Sequence, residues 1–153
     1  MSATPGTDYS AVLPSLLVEQ TSDAIIFADK GGTVRLWNHG AERIFGHAAA
    51  DVIGGPLDII IPEKLLAAHN TGFNNAMSTG TMKYVNKVLT TRSMRKDGTT
   101  IYVDMSFDMI RDAGGNILGA LAIARDSTER YTAERATRVR IAELEKAVAD
   151  KAD

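Results

Sequence analysis

Thr100 to Ile110 alternates without a break. Val103, Met105, Phe107 and Met109 fall on one side, and Tyr102, Asp104, Ser106 and Asp108 on the other. A side-chain period of two marks a strand with one face in a core and the other towards water. Turn signals bracket it. Arg95-Lys96-Asp97-Gly98 carries the Asp-Gly pair of a tight hairpin, and Asp112-Ala113-Gly114-Gly115-Asn116 follows. Beyond those turns lie Tyr84–Met94, rich in Val, Leu and Thr, and the apolar run Ile117–Ala124. Three strands in succession therefore dominate the C-terminal half.

The N-terminal half mixes periods. Val12, Leu13, Leu16 and Leu17 recur at helical spacing between Tyr9 and Gln20, behind a loose tail over residues 1–8. Ala24–Ala28 and Thr33–Trp37 read as strands joined by the turn Asp29-Lys30-Gly31-Gly32. Asn38 is a good N-cap for a short helix carrying Ala41, Ile44 and Phe45, which Gly46 stops. Gly54-Gly55-Pro56 leaves room for only brief helical turns before Pro62. A longer amphipathic helix then runs from about Pro62 to Met77, with Gly80 just past its end. At the other end, Asp126 three residues before Glu129 signals the start of a polar helix that runs to the end of the sequence. The order is helix, two strands, several helices, three strands, helix. This is an α+β chain, divided into 1–20 (tail and flanking helix), 21–127 (the central domain) and 128–153 (C-terminal helix).

Composition narrows the chemistry. There is no Cys among the 153 residues, which removes disulfides, thiolate metal sites, thiol nucleophiles and cysteine-adduct photochemistry. A formal charge of −2 gives no electrostatic case for nucleic acid or an anionic membrane. Apolar runs such as Ile59-Ile60-Ile61 are too short to span a bilayer, and no signal peptide is visible, so a cytoplasmic protein is expected. Paired carboxylates, a nucleophile–base set and a phosphate-cradling glycine loop are all missing, so no enzyme is expected.

His69 is the residue that resists this bland reading. On the long helix it shares a face with Leu65, Leu66, Phe73 and Ala76. An imidazole on an apolar stripe either satisfies itself inside a core or holds something in place. Gly72, one turn on, costs the helix about 1 kcal/mol relative to Ala. A flat ring or a crossing helix passing close to the backbone would account for it. His39 and His47, near the ends of the short helix, read as solvated. Trp37 reads as packing, and Asp97 and Gly98 as turn residues.

From Leu16 to Arg130 the chain resembles the PAS sensory domains. The resemblance rests on the first hairpin ending in Trp37-Asn38 and on Ala41-Glu42-Arg43-Ile44-Phe45-Gly46. It rests also on Arg95-Lys96-Asp97-Gly98 before a strand, and on Gly119–Arg130, similar to the family's exit motif with Asp126 as the cap. The resemblance implies a five-stranded antiparallel sheet with helices on one face, a pocket between them, and flanking N- and C-terminal helices. It implies a sensor in signal transduction, with Asn38, Asp97, Gly98 and Asp126 in structural or signalling roles.

Within the family, Ile61-Pro62…His69…Phe73, with Asp97 at a matching distance, is most similar to the haem-binding domains of bacterial oxygen sensors. This makes His69 the proximal iron ligand of haem b. Leu65, Leu66, Phe73, Leu89, Val103, Met105, Phe107, Leu121 and Ile123 become the cofactor wall, and Asn74, Asn75 and Lys87 the candidates for the propionates. Where relatives place an arginine or methionine on the distal side, this chain has Leu89 and Lys87. An apolar distal wall suits CO and NO better than O2. Met105 reads as wall rather than ligand. The expected partners are a diatomic gas at the haem and an unknown downstream output protein. A second copy is also expected, joined through the flanking helices, where Ile141, Leu144 and Val148 form one short heptad stripe. The competing expectations are a cofactor-free module for dimerisation or small-metabolite binding, and a flavin-binding domain.

Overall fold

A computed structural model describes residue 6 and residues 8–152; most of the expected tail lies outside them. The helix α1 (Tyr9–Gln20) leads into the hairpin β1 (Ala24–Asp29) and β2 (Val34–Trp37). The helices α2 (His39–Phe45) and α3 (Ala49–Val52), a 3-10 turn at Leu57–Ile60 and α4 (Glu63–Thr79) follow. Then come β3 (Val88–Met94), β4 (Thr100–Arg111), β5 (Ile117–Asp126) and α5 (Thr128–Lys151). The sheet order is β2-β1-β5-β4-β3, antiparallel throughout. The first hairpin therefore docks against the last strand, with Ala24 opposite Ala124. This closes the sheet around the helices that the sequence inserts between its halves.

Asn38 is the pin of this closure. Fully buried, its amide oxygen accepts from Ala41 N–H at 2.9 Å, capping α2, and from Ile25 N–H at 2.8 Å. Its amide nitrogen donates to the carbonyls of Val18 and Asp23 at 2.7 and 3.0 Å. One side chain thus joins α1, the entry to β1 and α2. Gly40 beside it leaves no room for a side chain, because a Cβ would meet the Asp23 carbonyl.

The core lies between the inner sheet face and the α2–α3 layer, around Ile26, Trp37, Phe45, Ile101, Val103 and Met105. Trp37 packs on Phe45 with ring centroids 5.5 Å apart and donates its indole N–H to the His47 carbonyl. His47 is half-buried, less solvated than expected. Its ring sits edge-on to Trp37, and Nε2 is buried without a hydrogen-bond partner among the described residues. Burial, then the Lys96 charge, lower its pKa against the opposing pull of Asp51. The indole that fixes this loop draws the imidazole in with it. His39 stays largely exposed, with Nδ1 3.1 Å from the Glu19 carbonyl.

Two strand expectations need correcting. Residues 84–87 are not the start of β3 but a turn, in which Lys87 N–H donates to the Tyr84 carbonyl. Asn86 adopts a left-handed φ of 58°, which ends any extended run and which Asn tolerates better than most residues. On β5, Leu121 and Ile123 point away from the helices. Leu121 pairs with Asp108 and Ile123 with Ser106, the polar side of β4, and Ile123 is 37% exposed. Ala120, Ala122 and Ala124 occupy the alternate positions, two of them buried. Small residues on the inner face leave space beneath the helices, which is where the pocket lies.

The exit from the sheet is tied down by charge. Asp126 accepts from the Thr128 N–H and hydroxyl at 2.9 and 2.6 Å and pairs with Arg95 at 2.8 Å. Burial pushes the Asp126 carboxyl up, but Thr128 and Arg95 outweigh it and the net direction is down. The N-cap position itself is Ser127, so Asp126 orders the first turn from one residue further out than expected. The rings of Tyr102 on β4 and Tyr131 on α5 stack at 3.7 Å, and Arg130 forks onto Asp104 at 2.8 and 2.7 Å. Beyond that anchor α5 is exposed. Among the described residues no helix is long and apolar enough to cross a membrane.

Candidate functional site

The helix α4 is packed unlike the others. Of its seventeen residues only Ala76 and Met77 are buried. Between it and the sheet lie three neighbouring cavities, and His69 lines all of them. The smallest, about 110 Å³, runs towards Ile26, Ile60, Leu65, Met105 and Ala122. The largest, about 400 Å³, is walled by Phe73, Met77, Leu89, Phe107 and Ala120. That volume lies within the range of about 300–1,000 Å³ usual for small-molecule sites. A third, about 270 Å³ and more polar, opens towards Asp58, Asn70, Asn74 and the Gly31-Gly32 turn.

The imidazole of His69 is half-buried and stacks near Phe73, with centroids 6.4 Å apart and planes 23° from parallel. Its Nδ1 lies 3.2 Å from Asn70 Oδ1. In the neutral imidazole, an Asn70 oxygen acceptor sets the proton on Nδ1 and the lone pair on Nε2. That is the tautomer an Nε2 metal ligand needs, with the other nitrogen held by a neighbouring acceptor.

Among the described residues no three His, Asp or Glu gather to hold a bare ion. The residues present do fit a metal that brings its own equatorial ligands. One imidazole stands on an apolar slot, and no carboxylate lines the largest cavity. Gly72 gives the same indication. A Cβ there would meet nothing within 4 Å, so no crossing helix explains the glycine, and its backbone faces the largest cavity. We expect Gly72→Leu to fill that space, lowering the affinity of any ligand there at least tenfold. Folding should be unharmed or strengthened by up to about 1 kcal/mol, the helix penalty of glycine. Thermal melts beside ligand titrations check this. A variant that folds and binds like the parent contradicts it.

Of the wall expected from sequence, Leu65, Phe73, Leu89, Met105 and Phe107 line these cavities beside His69. Val103 is fully buried beneath them, Leu66 lines none, and Leu121 and Ile123 belong to the opposite face. Asn75 borders the largest cavity and Asn74 the polar one, whereas Lys87 borders none of the three. Sequence reasoning missed Thr91, whose residue separates the two apolar cavities, and Ser93, which reaches the smaller. Counting in twos from Leu89 finds both.

Comparison with known proteins agrees with this architecture. The PAS fold family matches residues 13–127. An uncharacterized protein from Azorhizobium caulinodans is 32% identical over 121 residues, covering 78% of this chain and 16% of that protein. The sensor protein FixL of Bradyrhizobium diazoefficiens is 27% identical over 123 residues, covering 80% and 23%. The oxygen sensor protein DosP of Escherichia coli is 24% identical over 121 residues, covering 79% and 15%. The chain thus spans less than a quarter of the length of these relatives. Among solved structures, a PAS domain from Colwellia psychrerythraea superposes with a TM-score of 0.68 at 22% identity, covering 78% of this chain and 98% of that one. An RNA-binding light-oxygen-voltage receptor superposes at 0.67 and 23%, covering 96% and 41%. At such identities the two structures establish the shared fold.

Proposed function

The chain belongs to the PAS family, and from that premise we propose a sensor that binds haem b through His69 and responds to a diatomic gas or to redox state. The observation that carries this reading is His69, set on the shared wall of three cavities with Nδ1 engaged by Asn70. The similarity to an oxygen sensor supports it. A bound haem would supply an iron position open to a gas, with redox behaviour set by its axial ligand and surroundings. The chain's own residues do the rest. Leu65, Phe73, Leu89 and Phe107 would wall a flat apolar ring, and His69 would fix its orientation.

A shift of β3 has a short route outward. Thr90 donates to Asp104 at 2.6 Å, and Asp104 is gripped by Arg130 at the start of α5. The Thr90 hydrogen bond first, then Arg130, hold the Asp104 carboxyl below its ordinary range. The role is signalling rather than catalysis. Exposed apolar residues on α1 (Leu13, Leu16, Leu17) and α5 (Ile141, Leu144, Val148) support a homodimer through the flanking helices.

Adding haem to the purified chain should give a saturable one-to-one complex with a Soret band distinct from that of free haem. A spectrum that stays the simple sum of its parts would overturn the haem reading. Retention of a yellow chromophore in that case would point to flavin, and absence of both to a cofactor-free module.

A further inference from the structure

We propose that the polar cavity beside α4 binds a small organic cation, an alkylguanidinium or alkylammonium, through Asp58, Asn70, Asn74 and Phe73. This cavity, about 270 Å³, is lined by the Gly31-Gly32 turn, by Pro56-Leu57-Asp58 and by four residues of α4. Asp58 is the one carboxylate on its wall, and no Lys or Arg lines it. Among the described residues no cation pairs with Asp58, which is half-buried. A partly desolvated carboxylate without a partner favours an occupant of opposite charge.

The other groups on the wall suit a cation that carries N–H donors. Asn70 and Asn74 stand four residues apart on α4 and so share a face. Asn70 Oδ1 lies 3.2 Å from His69 Nδ1, and a carboxamide oxygen has a second lone pair for a ligand. Phe73 adds an aromatic ring. A Cβ at Gly32 would come within 3.8 Å of that ring, so the ring reaches the turn. A cation against an aromatic face is attracted by its quadrupole. The glycine turn offers nothing to an anion. Gly31 N–H donates to Asp29 Oδ1 at 3.0 Å and Gly32 N–H to the Asp29 carbonyl at 2.8 Å, so both amides are occupied within the turn. Ala28, Pro56 and Leu57 leave room for a short apolar stem.

Guanidinium and ammonium share this chemistry, and a neutral molecule of the same shape forfeits a charge-assisted hydrogen bond. The site does not rest on the haem reading, although His69 belongs to its wall as well. The test therefore uses neither haem nor a His69 variant, and its failure leaves that reading untouched. Propylguanidinium, propylammonium and the neutral isostere propylurea are titrated into the isotope-labelled full chain and followed by NMR. The same titrations are run on Asp58→Asn and Asn74→Ala, and calcium chloride is added as a competitor.

Saturable shifts of the Asn70 and Asn74 side-chain amides and of the Gly31 and Gly32 amides are expected with the cations. Propylurea should bind at least about tenfold more weakly than propylguanidinium, from one charge-assisted hydrogen bond. Whichever cation binds more tightly names the ligand class. Asp58→Asn should abolish the preference for cation over urea. Asn74→Ala, on the exposed side of α4, should weaken the cation about fivefold, from one neutral hydrogen bond, and keep the preference. It carries the test should Asp58→Asn fail to fold. The proposal is overturned by shifts that do not saturate or lie outside this cavity, by urea binding as tightly as the cation, or by a preference that survives Asp58→Asn. Unchanged affinity in Asn74→Ala overturns it too. Displacement of the cations by calcium at the same signals would make this a metal-ion site and overturn it likewise.

Discussion

Asn38→Leu is expected to lower the free energy of unfolding by about 3–5 kcal/mol, the largest stability loss predicted for any single side chain here. Leucine matches asparagine in shape, so the loss is one of hydrogen bonds and not of packing. Two N–H groups, at Ile25 and Ala41, and two carbonyls, at Val18 and Asp23, lose their buried side-chain partner. A net hydrogen bond contributes about 1 kcal/mol, and a polar group left buried and unsatisfied costs about 1–3 kcal/mol. Domains of this kind are stable by only about 5–15 kcal/mol, so the variant should melt far below the parent. Asn38→Asp keeps both acceptor bonds but sets a buried carboxylate oxygen against the Val18 and Asp23 carbonyls, and should destabilise at least as much. Urea unfolding followed by far-UV circular dichroism reads the difference. A shift below 1 kcal/mol for the leucine variant would mean that the three elements do not depend on Asn38 for their closure.

That residue also shows what the sequence makes legible. Asn38 before Ala41, Ile44 and Phe45 announces an N-cap, and the structure has it. The bonds to Val18, Asp23 and Ile25 are tertiary, and no local pattern foretells them. Period-two alternation placed β4 and its faces correctly, because polar and apolar residues there differ in kind. On β5 nearly every residue is apolar, so the pattern does not tell its faces apart, and the larger Leu121 and Ile123 lie outside while the small alanines shape the pocket. Thr91 and Ser93 are illegible for a related reason, since a hydroxyl residue on an inward face carries no apolar signal. The partial burial of His47 is tertiary, following from the Trp37 indole gripping its own carbonyl. His69 itself was legible as an imidazole on an apolar stripe. That α4 stands off the sheet, with two of its residues buried, was not, because a helix with that stripe could equally have packed down flush.

His69→Gly is expected to reduce haem affinity at least about 100-fold, since losing even a supporting residue around a metal ligand commonly costs about 10–100-fold. The protein should remain folded. His69 is half-buried, its one side-chain hydrogen bond is to Asn70, and it caps no element. What remains bound should sit in the apolar slot without an axial imidazole, and its spectrum should change accordingly. The cavity left by the side chain admits free imidazole, which restores the ligand without restoring the tether.

Imidazole rescue of His69→Gly therefore tests the central claim most directly. The visible spectrum of the haem-loaded variant is recorded as imidazole is added, beside that of the parent. The account predicts a variant spectrum that differs from the parent's without imidazole and a saturable shift towards the parent bands as imidazole is added. Identical spectra for parent and variant before any imidazole is added would place the iron on another ligand and contradict the assignment of His69.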